Sequence, residues 1–210
     1  MKIALKVLLV TAIGLLSYMC YESIMSSERF DKERERREAA IQARLIDIRK
    51  AQIEYRNING AYAANFDELK TFLKEQRLSF VRKEGVLSDE QLEQGLTERE
   101  ALKQGLIKRD TFWVLAKDTL FSPSYNVDSI GLVPVRGINA SFLMDTATVQ
   151  SSAGYSIKVF ECGVLYETYL ADMNRQLLIN LKDKMEKMNR YLGLRVGSVT
   201  EINNNAGNWE

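Results

Sequence analysis

The residues with chemical potential are few. There is no histidine in the 210-residue chain. That removes imidazole general-base catalysis, Ser-His-Asp triads and histidine metal ligation together. What remains is a set of carboxylates, among them Asp145, Glu161, Glu167 and Asp172, and the thiol of Cys162. A general acid/base pair needs two carboxyls held at one reacting centre. Glu161 and Glu167 fall in strand-like segments, but their spacing does not make any two acids converge, and solvated faces account for them. Cys162, beside Gly163 in an apolar run, reads as a packing residue. Its one companion, Cys20, lies far away in an apolar stretch, so no disulfide is expected. Ser-x-x-Lys, the P-loop, Gly-x-Gly-x-x-Gly and Cys-x-x-Cys are all missing. The sequence therefore predicts a protein that is not an enzyme, with no catalytic residue, no cofactor and no metal site.

The elements that would position any site begin with the first residues. Val7 to Tyr21 is an uncharged run of 15 residues, and the apolar stretch extends over 3–25. A membrane span needs about 20 apolar residues, and a signal-peptide core about 7–15. Lys6 can snorkel from within the longer stretch, and Tyr18 and Tyr21 suit the interface level. The small-residue pair Ala12 and Gly14 comes too early for cleavage, and Leu16-Ser17-Tyr18-Met19 before Cys20 is a poor lipobox. The segment reads as a retained transmembrane helix. Lys2 and Lys6 favour an inside amino terminus, whereas Arg29, Lys32, Arg34, Arg36 and Arg37 count the other way and would leave a cytoplasmic domain. The short basic start sets the expectation: one pass through the inner membrane, with the following domain in the periplasm.

With a net charge of +1, the chain has no long-range attraction for nucleic acid, and none is expected as a partner. About 185 residues after the anchor suffice for one core or two small ones. Five regions follow from composition and period: 1–25, the anchor; 26–73, an amphipathic helix and a helical hairpin; 74–109, a polar helical insertion; 110–202, an antiparallel sheet with a last helix; and 203–210, a frayed polar tail.

The alternating charges from Glu28 to Arg37 read as a solvated helix face with i,i+4 pairs. Ile41, Leu45, Ile48, Tyr55, Ile58 and Tyr62 then form a stripe, widened by Ile46 and Ile53. This stripe packs either on the chain's own sheet or, in heptad spacing, on another copy. Ile41, Leu45, Ile48, Tyr55 and Tyr62 are thus the candidate partner interface. Gly60 suits a left-handed cap at the helix end. Asn65 to Glu68, Ser88 to Gln91 and Thr97 to Glu100 each read as a capping box.

Strand periods begin at Thr111. Candidates are Thr111 to Ala116, Ile130 to Val135, Ala140 to Thr148, Tyr155 to Cys162 and Val164 to Leu170, with Gly163 as a bulge or turn. A helix from about Asn174 to Tyr191 carries Leu177, Leu181, Met185, Met188 and Leu192, and Leu194 to Val199 suggests an edge strand. Trp209 is read as folding back or dangling. The fold class is α+β: an amino-terminal transmembrane helix continuing into a long amphipathic helix, packed on an antiparallel sheet, with a further helix after it.

Asp47 to Tyr55, then Gly60-Ala61-Tyr62 and Leu69, resembles the helix end of type II secretion pseudopilins and type IV pilins. Those families also place this stretch between an amino-terminal apolar helix and an antiparallel sheet. The likeness covers Met1 to Leu73 in layout. The prepilin-peptidase site is missing, since Leu15 follows Gly14 and Met19 stands where a glutamate belongs, and Ala63 replaces the usual proline. The whole chain is also similar to uncharacterised, single-pass anchored envelope proteins of Gram-negative gut bacteria. The resemblance implies a structural or interaction role in a larger membrane assembly. The expected partners are the membrane through residues 3–25, and further copies or other envelope proteins. The alternative is an anchored binding or carboxylate-dependent catalytic module acting on envelope polymers.

Overall fold

A computed structural model describes residues 2–85, 97, 100, 102, 108–151 and 154–210. Among these, five α-helices and two antiparallel sheets make an α+β protein. The chain divides into two compact units, one built from Met1–Asn65 with Ile130–Glu210 and the other from Phe66–Ser129.

The first unit is organised on helix α1, Lys2–Asn59, which is unbroken over 58 residues. Its early part is exposed: Leu8, Val10, Leu15 and Leu16 all lie open. This helix is long and apolar enough to cross a membrane. Burial starts at Phe30 and recurs at Arg37, Ile41, Leu45, Ile48, Ala51 and Gln52, the i, i+3, i+4, i+7 rhythm of one helix face. The helix ends as its sequence predicts: Gly60 takes φ +70°, and its N–H bonds the Arg56 carbonyl at 2.8 Å.

That buried face rests on a three-stranded sheet, β3 (Leu143–Gln150), β4 (Ser156–Leu165) and β5 (Gly193–Gly197), in that spatial order. Phe160, Cys162, Val164, Leu194 and Val196 supply the sheet's buried side chains. Gly163 is neither a bulge nor a turn, because it pairs in register with Leu143 on one side and Arg195 on the other. A Cβ there would lie 2.8 Å from the Leu194 carbonyl oxygen, so the glycine is set by close approach of the strands. The expected strand over Val164–Leu170 gives way at Tyr166 to the short helix α4, Tyr166–Tyr169. The segment Ile130–Phe142 forms a loop, so the strand expected at Ile130–Val135 does not form and the one expected at Ala140–Thr148 starts at Leu143. It is closed by the Leu132–Ser141 bridge and turns at Gly137, φ +85°.

Helix α5, Arg175–Lys187, is shorter than its apolar period suggested. Asn174 caps it, the side-chain oxygen accepting from the N–H groups of Gln176 and Leu177. Leu178 and Leu181 are its buried residues, and Met188, expected in the stripe, is exposed.

The stretch 203–210 is not frayed. Gly207 bridges Val196, the Asn208 N–H bonds the Arg195 carbonyl, and the Asn208 side chain bonds both Arg195 N–H and the Gly193 carbonyl. Asn204 and Asn205 make the turn with positive φ, which asparagine tolerates. The outer edge of β5 is therefore covered.

The second unit holds α2 (Phe66–Glu75), β1 (Arg77–Glu84), β2 (Lys108–Leu115), α3 (Ala116–Leu120) and a 3-10 turn at Val127–Ser129. Leu69, Phe72, Leu73, Leu78, Ala116 and Val127 form its core. β1 and β2 pair antiparallel along eight residues, Arg77 opposite Leu115 through Glu84 opposite Lys108. The Phe80 and Phe112 rings stack across the strands at 5.8 Å. Two expectations change here. Strands occupy both ends of the region 74–109, where composition predicts a polar helical insertion. The strand from Thr111 pairs within this unit instead of joining the sheet of the first. The Ser88 to Gln91 box lies outside the described residues. At the third box, Thr97 and Glu100 bond reciprocally through side chain and backbone.

Candidate functional site

The residues marked for a partner interface lie in the first unit's own core. Ile41, Leu45 and Ile48 have no exposed surface, and Tyr62 is 7% exposed. Tyr62 lies beyond the end of α1, with its ring 4.8 Å from that of Phe160 and its hydroxyl taking hydrogen bonds from Arg56 and Asn205. Tyr55 is half-buried. Hydrophobic spacing reports that a face is covered but not by what, and here the sheet occupies it. A coiled coil through these side chains would require opening the core, which corrects the interface reading.

Two polar nodes fix α1 in place, and the charge pattern concealed the first. Arg37, inside the run read as solvated, is 8% exposed. Its guanidinium donates to both Asp172 oxygens at 2.5 and 2.8 Å, to the Tyr169 carbonyl at 2.7 Å and to Glu33 at 2.8 Å. The fork geometry suits a guanidinium and would not suit lysine. The Arg37 pKa is raised above its ordinary value, chiefly by Asp172, and Arg37 holds the Asp172 carboxyl below its usual range. Arg36, then Arg37, lower Glu33 to about 2.

The second node is Gln52, fully buried. Its amide nitrogen donates to the Ala63 carbonyl at 3.0 Å, and its oxygen accepts from the Ala63 N–H at 2.9 Å. One side chain thereby satisfies both backbone groups of the chain that leaves the helix, where a strand partner would otherwise be needed.

The acids named from sequence are dispersed among cationic partners. Glu161 pairs with Arg195 at 2.8 Å, Glu167 with Lys182, and Asp172 with Arg37. Asp145 stands opposite Glu161 across β3 and β4, but its carboxylate accepts from the adjacent Thr146 N–H. Cys162 is buried, and burial pushes its thiol far above the ordinary value, away from nucleophilic chemistry.

A further carboxyl escaped the sequence reading. Glu38 of α1 accepts from the Tyr169 hydroxyl at 3.1 Å and lies 3.7 Å from the Arg34 guanidinium. Burial raises its pKa. Its signal was lost inside the alternating run, where Glu38 follows Arg37 as one more charge. No protein-family model, curated protein or solved structure matches the chain.

Proposed function

We propose that the chain is a single-pass membrane protein of the cell envelope with a structural or interaction role, a pilin-like component of a larger assembly. Residues 3–25 anchor it in the inner membrane, and both units stand in the periplasm. The observation that carries this reading is the continuity of α1, whose exposed apolar segment runs without a break into the helix face buried in the first unit. Exposed leucine, valine and isoleucine side chains over several turns are costly in water and at home in lipid. The same helix supplies the spine of a folded domain, so anchor and domain share one continuous element, which suits a scaffold. The ion pairing of Glu161, Glu167 and Asp172 favours this role over carboxylate catalysis.

The test is mild-detergent extraction of the full chain from its own membranes, followed by native mass measurement and protein identification. A homo-oligomer or a stoichiometric partner is expected. A monomer without partner would overturn the assembly role. A cysteine placed at an exposed site of the first unit, probed with an impermeant thiol reagent on intact and opened cells, reports which side of the membrane the domain occupies.

A further inference from the structure

We propose that the cleft beside Trp209 in the first unit binds an anionic saccharide. The cleft, of about 540 Å³, lies where α1, the residues after α5, and the last residues converge. That volume is in the range of small-ligand sites, about 300–1,000 Å³. Its walls combine the rings of Tyr166, Tyr191 and Trp209 with the polar heads of Glu38, Gln42 and Arg190.

The mixture selects the ligand class. A pyranose ring has apolar C–H faces and a rim of hydroxyls. Aromatic rings cover the faces, while carboxyl and amide groups each offer paired hydrogen-bonding atoms to the rim. A lipid chain would leave the polar heads buried without partners. A nucleotide's phosphates would find no glycine-rich cradle here.

The charge state specifies the substituent. Among the charged residues lining the cleft, Arg195 is paired with Glu161 and Glu210 with Arg49, and Glu38 has Arg34 nearby. Arg190 lies near the Tyr166 hydroxyl but makes no side-chain hydrogen bond or ion pair among the described residues, nor does Gln42. The guanidinium left over matches a carboxylate, phosphate or sulfate on the sugar, with bidentate geometry available. The wall is held firmly. Arg195 lies over the Tyr191 ring at 4.8 Å, Asn208 anchors the Trp209 segment to β5, and the Tyr169 hydroxyl fixes Glu38.

Trp209 serves as its own reporter, because Trp113 is the only other tryptophan. The full chain carrying Trp113→Phe, in detergent, is screened on an array of oligosaccharides with carboxylate, phosphate or sulfate groups and their neutral counterparts. Trigalacturonate and neutral cellotriose are then titrated against Trp209 emission. Anionic sugars should bind on the array, and trigalacturonate should give a saturable change in emission. Cellotriose, and the exposed Arg190→Gln variant, should each bind about tenfold more weakly. No anionic binder on the array and no saturation at millimolar trigalacturonate overturn the proposal. So does binding that is indifferent to charge or to Arg190→Gln.

Discussion

Arg37 and Asp172 are 135 residues apart in sequence and joined by two hydrogen bonds of 2.5 and 2.8 Å. The pair clamps the middle of α1 to the turn that follows α4. Its two members are unequally placed, since the Arg37 side chain is 9% exposed and that of Asp172 is 52% exposed.

That asymmetry sets the cost of removing each. Asp172→Asn leaves Arg37 its bonds to the Tyr169 carbonyl and Glu33, and solvent screens the lost pair, so about 0.5–1 kcal/mol is expected. Arg37→Met strips three acceptors, one a backbone carbonyl, and should cost about 2–3 kcal/mol. Urea unfolding of the full chain in detergent, followed by circular dichroism, measures both. Equal losses would show that the pair alone matters and that the carbonyl contact does not.

The same cluster sets the acid sensitivity. Glu33 titrates at about 2 in the fold against 4.5 unfolded, and Asp172 is lowered in the same sense. Their contribution is present above the unfolded values and is lost as pH falls from about 4.5 toward 2. Glu38 acts oppositely: its raised pKa favours the fold when it is protonated, and that contribution fades as pH rises through its folded value. Melting temperature should therefore drop between about pH 4.5 and 2, and Arg37→Met should flatten the drop. Parallel curves for the two proteins would sink this assignment.

Gln52 tests backbone satisfaction within the core. Gln52→Leu preserves bulk but leaves the Ala63 N–H and carbonyl buried without partners, an expected loss of about 2–4 kcal/mol. Gln52→Glu keeps the acceptor but sets a carboxylate against the Ala63 carbonyl, so its stability should improve as pH falls and the added acid is protonated. Differential scanning calorimetry at two pH values distinguishes the variants. A leucine variant as stable as the parent would mean that the chain after Gly60 finds other partners.

Glycines separate contact from conformation. At Gly193 a Cβ would sit 2.1 Å from the Val164 carbonyl oxygen, and a backbone atom cannot step aside. Gly193→Ala should break the β4–β5 ladder and cost more than about 3 kcal/mol. Gly60, φ +70°, has nothing within 4 Å of its would-be Cβ. Gly60→Ala should cost only the left-handed penalty, about 1–2 kcal/mol. Thermal unfolding of both decides it, and the reverse order would refute the steric account.

Much of the first unit was legible because its signals are local. Gly60 marks a helix end by its own backbone freedom, and Ile41, Leu45 and Ile48 mark a covered face by period. The identity of the cover was not legible, because it depends on β4 and β5 more than 100 residues on. Arg37 was hidden because a buried guanidinium looks in sequence like its solvated neighbours, and only Asp172 and the Tyr169 carbonyl distinguish it. The stretch 203–210 misled in the opposite way. Asn205 and the exposed Asn208 are polar because their side chains bond Tyr62 and the edge of β5, which holds the segment in place. β1 escaped because the alternation of Leu78 and Phe80 with Arg77 and Ser79 is brief and runs straight into the charges of Arg82, Lys83 and Glu84, so the stretch reads as a polar surface. Of the cleft, Trp209 was noticed as an aromatic, but Glu38, Gln42 and Tyr191 meet it only through the fold.

The unbroken course of α1 fixes a phase as well as a connection. Each residue of an α-helix advances about 1.5 Å and turns about 100°. Removing Ser27 alone would turn the sheet by about 100° around the helix axis relative to the exposed apolar segment and draw it about 1.5 Å closer to that segment. The azimuth at which the cleft faces its surroundings is therefore written in the residue count between Met25 and Phe30, and even one insertion or deletion there would re-aim it.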